Sequence, residues 1–424
     1  MKPVVIVGGG ISGLSTAYYL CKAGIPVKLI ESAPQLGGFL QTEIVDGCVV
    51  ELGPDSFLNA KPWARELIEE LGIGDQIIGS NDHLRATYIW RGGRMIKMPE
   101  GLTLMVPARF GPVMRTPLLG WGSKLRMITE TLRRPPKHQE DRSVAAFVKD
   151  HYGEEVVDYL AEPLLAGVYG GDANELSAAS VLPKFVDWEA KYGSVSRGAM
   201  KNAGASPSPL FGTLKLGFGQ LISELARRTP AEIIHGSVEK IEMGYRIRVN
   251  GDWIEASQLV VACKPSLVLP DLFPPMTYSS STVVALMYRK SEVSHPLNGF
   301  GFLVPKKERK SIAACTWVGT KFEHRVPSDK VLLRCFVNGA VSDVLPELRE
   351  KMGINAEPIF QRVIPWPESM PQYTVGHAQR VELIEGMLKD LPGLHLVGNA
   401  YYGIGIPDCI RMARQVAQQI ITSA

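Results

Sequence analysis

The chain of 424 residues predicts an α/β fold in which one nucleotide-binding domain is assembled from three separate segments and interrupted by two insertions. Three observations carry that prediction. A β-branched run at the N-terminus leads straight into a glycine turn and then a helical pattern. Two later stretches, about 209–268 and from about 378 onward, again read as strand and helix pieces of the same kind. Between them the pattern changes, first to helices and loops and then to a series of strands.

Val4 to Val7 is a short apolar run, as a strand buried on both faces requires. Gly8, Gly9, Gly10, Ile11, Ser12 and Gly13 follow at once and fit G-x-G-x-x-G. Leu14, Ala17, Tyr18 and Cys21 then recur at helical spacing, and Gly24 reads as the helix stop. Val27 to Ile30 is a second strand, and it ends on Glu31 and Ser32. Each glycine has a task. The first permits the tight turn, the second lets the backbone approach a pyrophosphate, and the third lets helix and strand pack closely. The helix N-terminus turns free N–H groups and a positive dipole end toward phosphate. Glu31 stands where a carboxylate can accept hydrogen bonds from a ribose. Strand, glycine turn, helix, strand and acid together predict a Rossmann-like dinucleotide site.

A second glycine pair, Gly37 and Gly38, stands six residues after Glu31, and the stretch Glu51 to Phe57 follows, with Gly53, Pro54, Asp55 and Ser56 inside it. This extended pattern resembles the FAD-dependent amine oxidase superfamily. The resemblance implies FAD as cofactor, with Gly37 and Gly38 along it and Gly53 to Ser56 beneath the flavin ring. It adds Val238, Trp366, Ile404, Gly405 and Ile406 as cofactor contacts. Members often carry Lys or Arg after the second glycine pair, where this chain has Phe39.

The FAD-binding domain is expected from 1–70, 209–268 and 378–424. In the second piece Gly217 to Gln220 opens a helix, strands follow around Val238 to Val249 with a turn at Asn250-Gly251-Asp252, and Leu259 to Ala262 is a buried strand. In the third, Leu394 to Val397 is a strand, and Asp408 is expected to cap a final helix running to Ile421. A substrate-binding sheet domain is expected from 71–90 and 269–377, with strands at 282–289, 299–304, 311–317 and 331–337. Residues 91–208 read as a mainly helical domain that ends in a linker at Ala203 to Pro209.

Four further motifs sharpen the resemblance. They are Gly167-Val168-Tyr169-Gly170-Gly171-Asp172 with Leu176-Ser177, Gly299 to Pro305, Trp366-Pro367 with Met370 to Tyr373, and Gly403 to Ile410. Together they resemble bacterial oxygen-dependent protoporphyrinogen oxidases and coproporphyrinogen III oxidases. What this implies is six-electron oxidation of a porphyrinogen, with dioxygen as acceptor and hydrogen peroxide as product. Protoporphyrinogen IX is the first reading and coproporphyrinogen III the alternative. Gly167 is then expected to offer its carbonyl to a pyrrole N–H, Trp317 to form a pocket wall, and Arg85 to meet a propionate. No side chain is expected to be a catalytic acid or base, and no metal is expected. His377, His395 and Cys409 read as structural. Rival readings are another amine-oxidase-type flavoenzyme and a non-enzymatic prenyl-binding protein of the same architecture.

Charge and composition narrow the rest. Apolar residues make up 45% and charged residues 21%, which excludes global disorder, and a net charge of +3 gives no reason to expect nucleic acid. Segment 91–142 carries 11 Lys/Arg against four acids, +7, so the remainder is −4. Aliphatic residues and Trp121 are interleaved with these charges, a composition that suits an anionic membrane surface. The six cysteines form no CxxC, so neither a zinc site nor a disulfide framework is expected. Glycines interrupt the apolar start, which argues against a signal peptide, and no run of 18 charge-free apolar residues reads as a membrane span. A cytoplasmic location, peripheral on the inner face of the cell membrane, is the expectation.

Overall fold

Val4–Val7 is apolar at every position, and it takes the centre of a five-stranded parallel sheet. Its neighbours are Val27–Glu31 and then Glu232–His235 on one side, Gln258–Val261 and then Leu394–Leu396 on the other. Three distant segments therefore build one sheet. The computed structural model describes residues 2–136, 140–202, 204, 208–242, 244–338 and 343–423, and the chain divides into two units. The first comprises 1–80, 208–276 and 379–424. The second comprises 81–207 and 277–378.

In the first unit the helices Ile11–Lys22 and Ile406–Ser423 share one apolar cluster, in which Leu14, Ala17, Ile410 and Ala417 are buried with Ile6 and Val260 of the sheet. A separate three-stranded meander, Val238–Glu242, Arg246–Val249 and Asp252–Glu255, has Asn250 (φ 52°) and Gly251 (φ 85°) at its second turn. Two consecutive residues with positive φ are what a two-residue hairpin of this hand demands.

In the second unit a seven-stranded mixed sheet runs Phe360–Pro371, Tyr278–Arg289, Lys330–Asn338, Ile312–Trp317, Gly301–Leu303, Thr87–Arg91, Arg94–Lys97. The first of these was not expected as a strand. Pro365, Pro367 and Pro371 remove donors from it, and it survives because it lies at the sheet edge, paired only with Tyr278–Arg289. The helical insertion and the sheet insertion, read from sequence as separate domains, lie in one unit. Ile89 and Ile96 of the sheet share a buried cluster with Val113, Met127, Phe147 and Leu165 of the helices. Ion pairs Glu162–Arg309 (2.8 Å), Asp172–Lys306 (2.8 Å) and Asp158–Lys307 (2.9 Å) run between the two parts. Ala203 and 205–207 of the expected linker, Lys137 of the basic segment and the stretch 339–342 lie outside the described residues. None of the six cysteines forms a disulfide. Among the described residues no helix is long and apolar enough to cross a membrane.

The helical part is centred on a buried polar knot. His151, fully enclosed, offers Nδ1 to Glu130 (2.8 Å) and Nε2 to Glu189 (3.0 Å). Glu130 also accepts from the Ser194 hydroxyl (2.7 Å) and from the backbone N–H of Val195 (2.7 Å) and Ser196 (3.2 Å). Arg142 pairs with Glu189, and Arg133 with the neighbouring Asp150. Asp150, His151 and Glu189 have the spacing of metal ligands, but these cations already occupy their oxygens. Burial alone lowers the His151 pKa, and the bonds to Glu130 and Glu189 more than reverse this, so it is raised.

A raised folded pKa means that the imidazolium stabilises the fold fully below its unfolded value, near pH 6.5, and that this contribution is lost as pH rises through the folded value. His151→Gln is expected to cost about 3 kcal/mol at pH 6. The gap in thermal midpoint between the two proteins should narrow as pH rises. A gap that widens as pH rises through about 6.5 would mean that His151 is neutral in its pocket.

Candidate functional site

The strand Val4–Val7 ends on Gly8 (φ 109°), whose N–H donates to the Ile30 carbonyl (2.8 Å). The following helix sits so close that a Cβ on Gly13 would lie 1.9 Å from the Gly8 oxygen. Gly10 behaves differently. It is the residue before the helix, and a Cβ there would meet only Gly38 Cα, at 3.9 Å. The space in front of Gly10 and the first helical N–H groups, at Ile11 to Gly13, is open for a ligand to approach the backbone. Gly37 N–H donates to the Gly9 carbonyl (2.8 Å), which folds the second glycine pair back against the first loop.

Glu31 is buried at the end of its strand. One carboxylate oxygen accepts from Gly9 N–H (2.7 Å), the other from Ala33 N–H (2.7 Å) and, at 3.4 Å, from the Ser32 hydroxyl. It therefore holds the glycine loop as well as being placed for a ribose, because a carboxylate retains further lone pairs. Val238 opens the meander two residues after Gly236, whose N–H donates to the Glu31 carbonyl (2.9 Å). Gly53 lies where a Cβ would be 2.0 Å from the Phe39 carbonyl oxygen, and Pro54 is exposed. Asp55 is half-buried and accepts from the Ser56 hydroxyl (2.7 Å).

The C-terminal helix begins at Ile406, directly after Ile404 and Gly405. This corrects the expectation that Asp408 caps it: Asp408 is in the first turn. Its buried carboxylate lies against Gly403, where a Cβ would be 2.4 Å from Asp408 Cγ, and accepts from Lys61 Nζ at 2.5 Å. Lys61 went unread in the sequence. It is 347 residues from its partner, and no local spacing announces the pair. Glu51, read from the sequence only as the start of the loop expected beneath the flavin ring, has long-range partners that no spacing announced. It is buried, and it accepts from Thr42 Oγ1 (2.6 Å) and from the Phe218 N–H (2.9 Å) that opens the helix Phe218–Arg228.

Ser12 and Cys409 share a hydrogen bond, so the N-terminal ends of the first and last helices converge. Burial pushes the Cys409 thiol up to about 11, which fits its reading as a small apolar residue. Two positive dipole ends, open backbone N–H groups and a cradle that a Cβ at Gly10 would fill are the features that an anionic dinucleotide needs. The residues present fit FAD. His395, its pKa lowered by burial, meets Gln258 at 2.7 Å, and His377 stacks on Tyr373 at 3.9 Å, so both read as structural.

Trp366, Gly167, Trp317 and Arg85 belong to the second unit. Trp366 is half-buried in the edge strand. Gly167 is exposed in the last turn of the helix Glu162–Tyr169, among carbonyls that a helix cannot satisfy from within. Arg85 is about half exposed and pairs with Asp82 at 3.4 Å. Trp317 departs from its expected place as a pocket wall. It is 1% exposed, with its ring against His295 and Tyr88. A wall needs a face open before its ligand arrives, and this ring is part of the core.

These placements separate three substitutions. Gly13→Ala should destabilise the protein by at least about 1–3 kcal/mol, because the backbone of Gly8 must move. Gly10→Val should leave the thermal midpoint of the cofactor-free protein nearly unchanged and abolish flavin retention, read from absorbance at the flavin band. A Gly10→Val protein that purifies with stoichiometric flavin would refute the cradle. Trp317→Ala should cost about 3–5 kcal/mol of stability and leave flavin content intact.

Comparison with known proteins agrees with this geometry. A coproporphyrinogen III oxidase of Bacillus subtilis (strain 168) is 31% identical, with 99% of this chain and 98% of that protein aligned. One from Staphylococcus aureus is 30% identical, with 99% of each chain aligned. A crystal structure from Exiguobacterium sp. 255-15, named as a candidate protoporphyrinogen oxidase, superposes with a TM-score of 0.90 at 30% identity, covering 100% of this chain and 99% of that one. The family described as flavin containing amine oxidoreductase matches residues 11–421. The cofactor is FAD and the protein is an oxidoreductase, not a prenyl-binding protein of similar architecture. The chain belongs to the flavin-containing amine oxidoreductase family.

Proposed function

We propose that the protein oxidises a porphyrinogen to the porphyrin in haem biosynthesis, with dioxygen as acceptor and hydrogen peroxide as product. The observation that carries this is the near-complete alignment, end to end, with relatives named for that chemistry. It is joined by the four motifs around Gly167, Gly299, Trp366 and Gly403. Loss of six electrons and six protons converts the four methylene-bridged pyrroles to the aromatic ring, and three dioxygen molecules accept them as three hydrogen peroxide.

Bound FAD supplies the hydride acceptor that no amino-acid side chain can. The chain supplies orientation and field. The helix end at Ile11 would hold the pyrophosphate, and the positive end of the helix beginning at Ile406 would favour the negative charge of the reduced cofactor. The exposed Gly167 carbonyl offers an acceptor for a pyrrole N–H, and Arg85 offers a cation to a propionate. No acid or base is assigned, because pyrrole protons can leave to solvent.

Coproporphyrinogen III is the favoured substrate, since both curated relatives described above bear that name. Protoporphyrinogen IX is the second reading, supported by the name given to the Exiguobacterium structure. Growth of porphyrin fluorescence from each chemically reduced substrate, with oxygen uptake in parallel, distinguishes them. A higher kcat/KM on coproporphyrinogen III is expected. A flavin-loaded protein that turns over neither above the uncatalysed rate ends the proposal. Gly167 gives a finer test, because a Cβ there would meet only Leu303 Cδ2, at 3.9 Å. Gly167→Ala should fold as well as wild type or slightly better. Gly167→Leu should keep its FAD and raise KM by about tenfold, because the bulkier side chain crowds a pyrrole away from the retained carbonyl and roughly one hydrogen bond is lost.

A further inference from the structure

Two of the sequence motifs, Gly167 to Ser177 and Met370 to Tyr373, meet in the second unit as the halves of one clamp. The helix Glu162–Tyr169 is anchored by charge at its start, where the Glu162 carboxylate accepts from Arg309 Nη2 (2.8 Å) and from the Lys306 N–H (2.8 Å). At its end a helix leaves its last four carbonyls without partners from within. Here Gly170 (φ 60°) turns the chain and gives its N–H to the Ala166 carbonyl (3.0 Å). The Tyr169 carbonyl takes a partner from far along the chain, since Gln372 Nε2 donates to it at 2.9 Å across 203 residues. Among the described residues the Gly167 carbonyl accepts no hydrogen bond. Successive helical carbonyls turn by about 100°, so the oxygens of Gly167 and Tyr169 lie about 200° apart around the axis, and Gln372 can hold one without covering the other.

The half-buried Gln372 amide has one orientation. Its nitrogen also faces the Ser279 hydroxyl (2.8 Å) and the Met370 carbonyl (2.9 Å), and carbonyl oxygens only accept, so the NH2 group is the one that meets them. Oε1 turns the other way, against Gly171, where a Cβ would lie 2.0 Å from it. The φ of Gly171 is not positive, so its missing side chain makes room for the amide and not for a turn. Gly170 and Gly171 therefore have separate tasks, one to end the helix and the other to admit Gln372. Beyond the amide, the Ser177 N–H donates to the Tyr373 carbonyl (2.7 Å) and the Val375 N–H to the Glu175 carbonyl (2.9 Å), which ties the end of the strand Phe360–Pro371 along the segment that follows the helix.

We propose that Gln372 is a positioning residue for the porphyrinogen: by holding the Tyr169 carbonyl it fixes the last turn of the helix and so aims the Gly167 carbonyl at a pyrrole N–H. It acts through Gly167 and does not itself touch the substrate. The proposal rests on the Gly167 carbonyl being the pyrrole acceptor.

The test is steady-state kinetics of the FAD-loaded protein on whichever porphyrinogen the wild type turns over faster, arranged as a double-substitution cycle. Gln372→Met keeps the length of the side chain and removes both donors. It should raise KM about fivefold while kcat changes by less than about twofold. Gly171→Ala should raise KM in the same way with Gln372 still present, and it should fold, because the end of a flexible side chain can swing away from the new Cβ. In a Gly167→Leu background, where the pyrrole bond is already lost, Gln372→Met should raise KM by less than about twofold further, whereas a merely structural role would multiply the two effects. Flavin content should hold in every variant. Effects that multiply would overturn the positioning role and leave the Gly167 acceptor standing. So would a wild-type KM in both Gln372→Met and Gly171→Ala beside a raised KM in Gly167→Leu. A wild-type KM in Gly167→Leu would overturn acceptor and positioning role together, and so would a flavin-loaded wild type that turns over neither porphyrinogen.

Discussion

The first unit depends on one close contact. The helix Ile11–Lys22 can lie on the strand Val4–Val7 only because Gly13 has no side chain to strike the Gly8 oxygen. That contact fixes where the helix begins, beside Gly10, where a Cβ would meet only Gly38 Cα at 3.9 Å. It also sets the path of the last helix, which shares the same apolar cluster and brings Cys409 to Ser12. A methyl group at position 13 would thus disturb the sheet, both helix ends and the cofactor cradle together.

Two buried carboxylates stand close to this positive region, and each is compensated in its own way. Glu31 is held by backbone N–H groups of Gly9 and Ala33, so its charge is spent on shaping the loop. Asp408 lies in the first turn of the last helix, where an acid stabilises the helix but opposes its use as an anion site. Lys61 cancels that charge. The combination lets the helix keep a favourable first-turn acid and still present a net positive end.

The sequence made the nucleotide loop legible because every part of it is local. The turn, the helix start and the acid fall within about two dozen residues, and the steric reason for each glycine belongs to backbone geometry alone. The long-range partners were not legible. Lys61 and Asp408, or Glu130, His151 and Glu189, are chosen by the fold, and nothing in their spacing distinguishes them from solvated charges. The edge strand Phe360–Pro371 was hidden for a different reason. Its prolines argue against a strand unless one already knows that only one side of it needs to pair. Trp317 shows the converse error. An aromatic beside a substrate motif invites a ligand role, yet burial and ring contacts are decided by its neighbours His295 and Tyr88.

The second unit shows why the basic segment cannot be read from charge alone. Of its residues, Arg91, Arg133 and Arg142 are committed to Glu155, Asp150 and Glu189, and Lys124 is buried against a carbonyl. A charge count treats them all as surface. What remains outside is a smaller cationic set around an apolar stripe, and the stripe is outside because Glu130 is inside. With Glu130 bound by His151 and the Ser194–Ser196 turn, the helix Trp121–Thr129 that leads into it can face the core only by Lys124, Met127 and Glu130, and Trp121, Leu125, Ile128 and Leu132 are left on the opposite side. The buried polar knot and the exposed apolar face are thus two consequences of a single helix rotation.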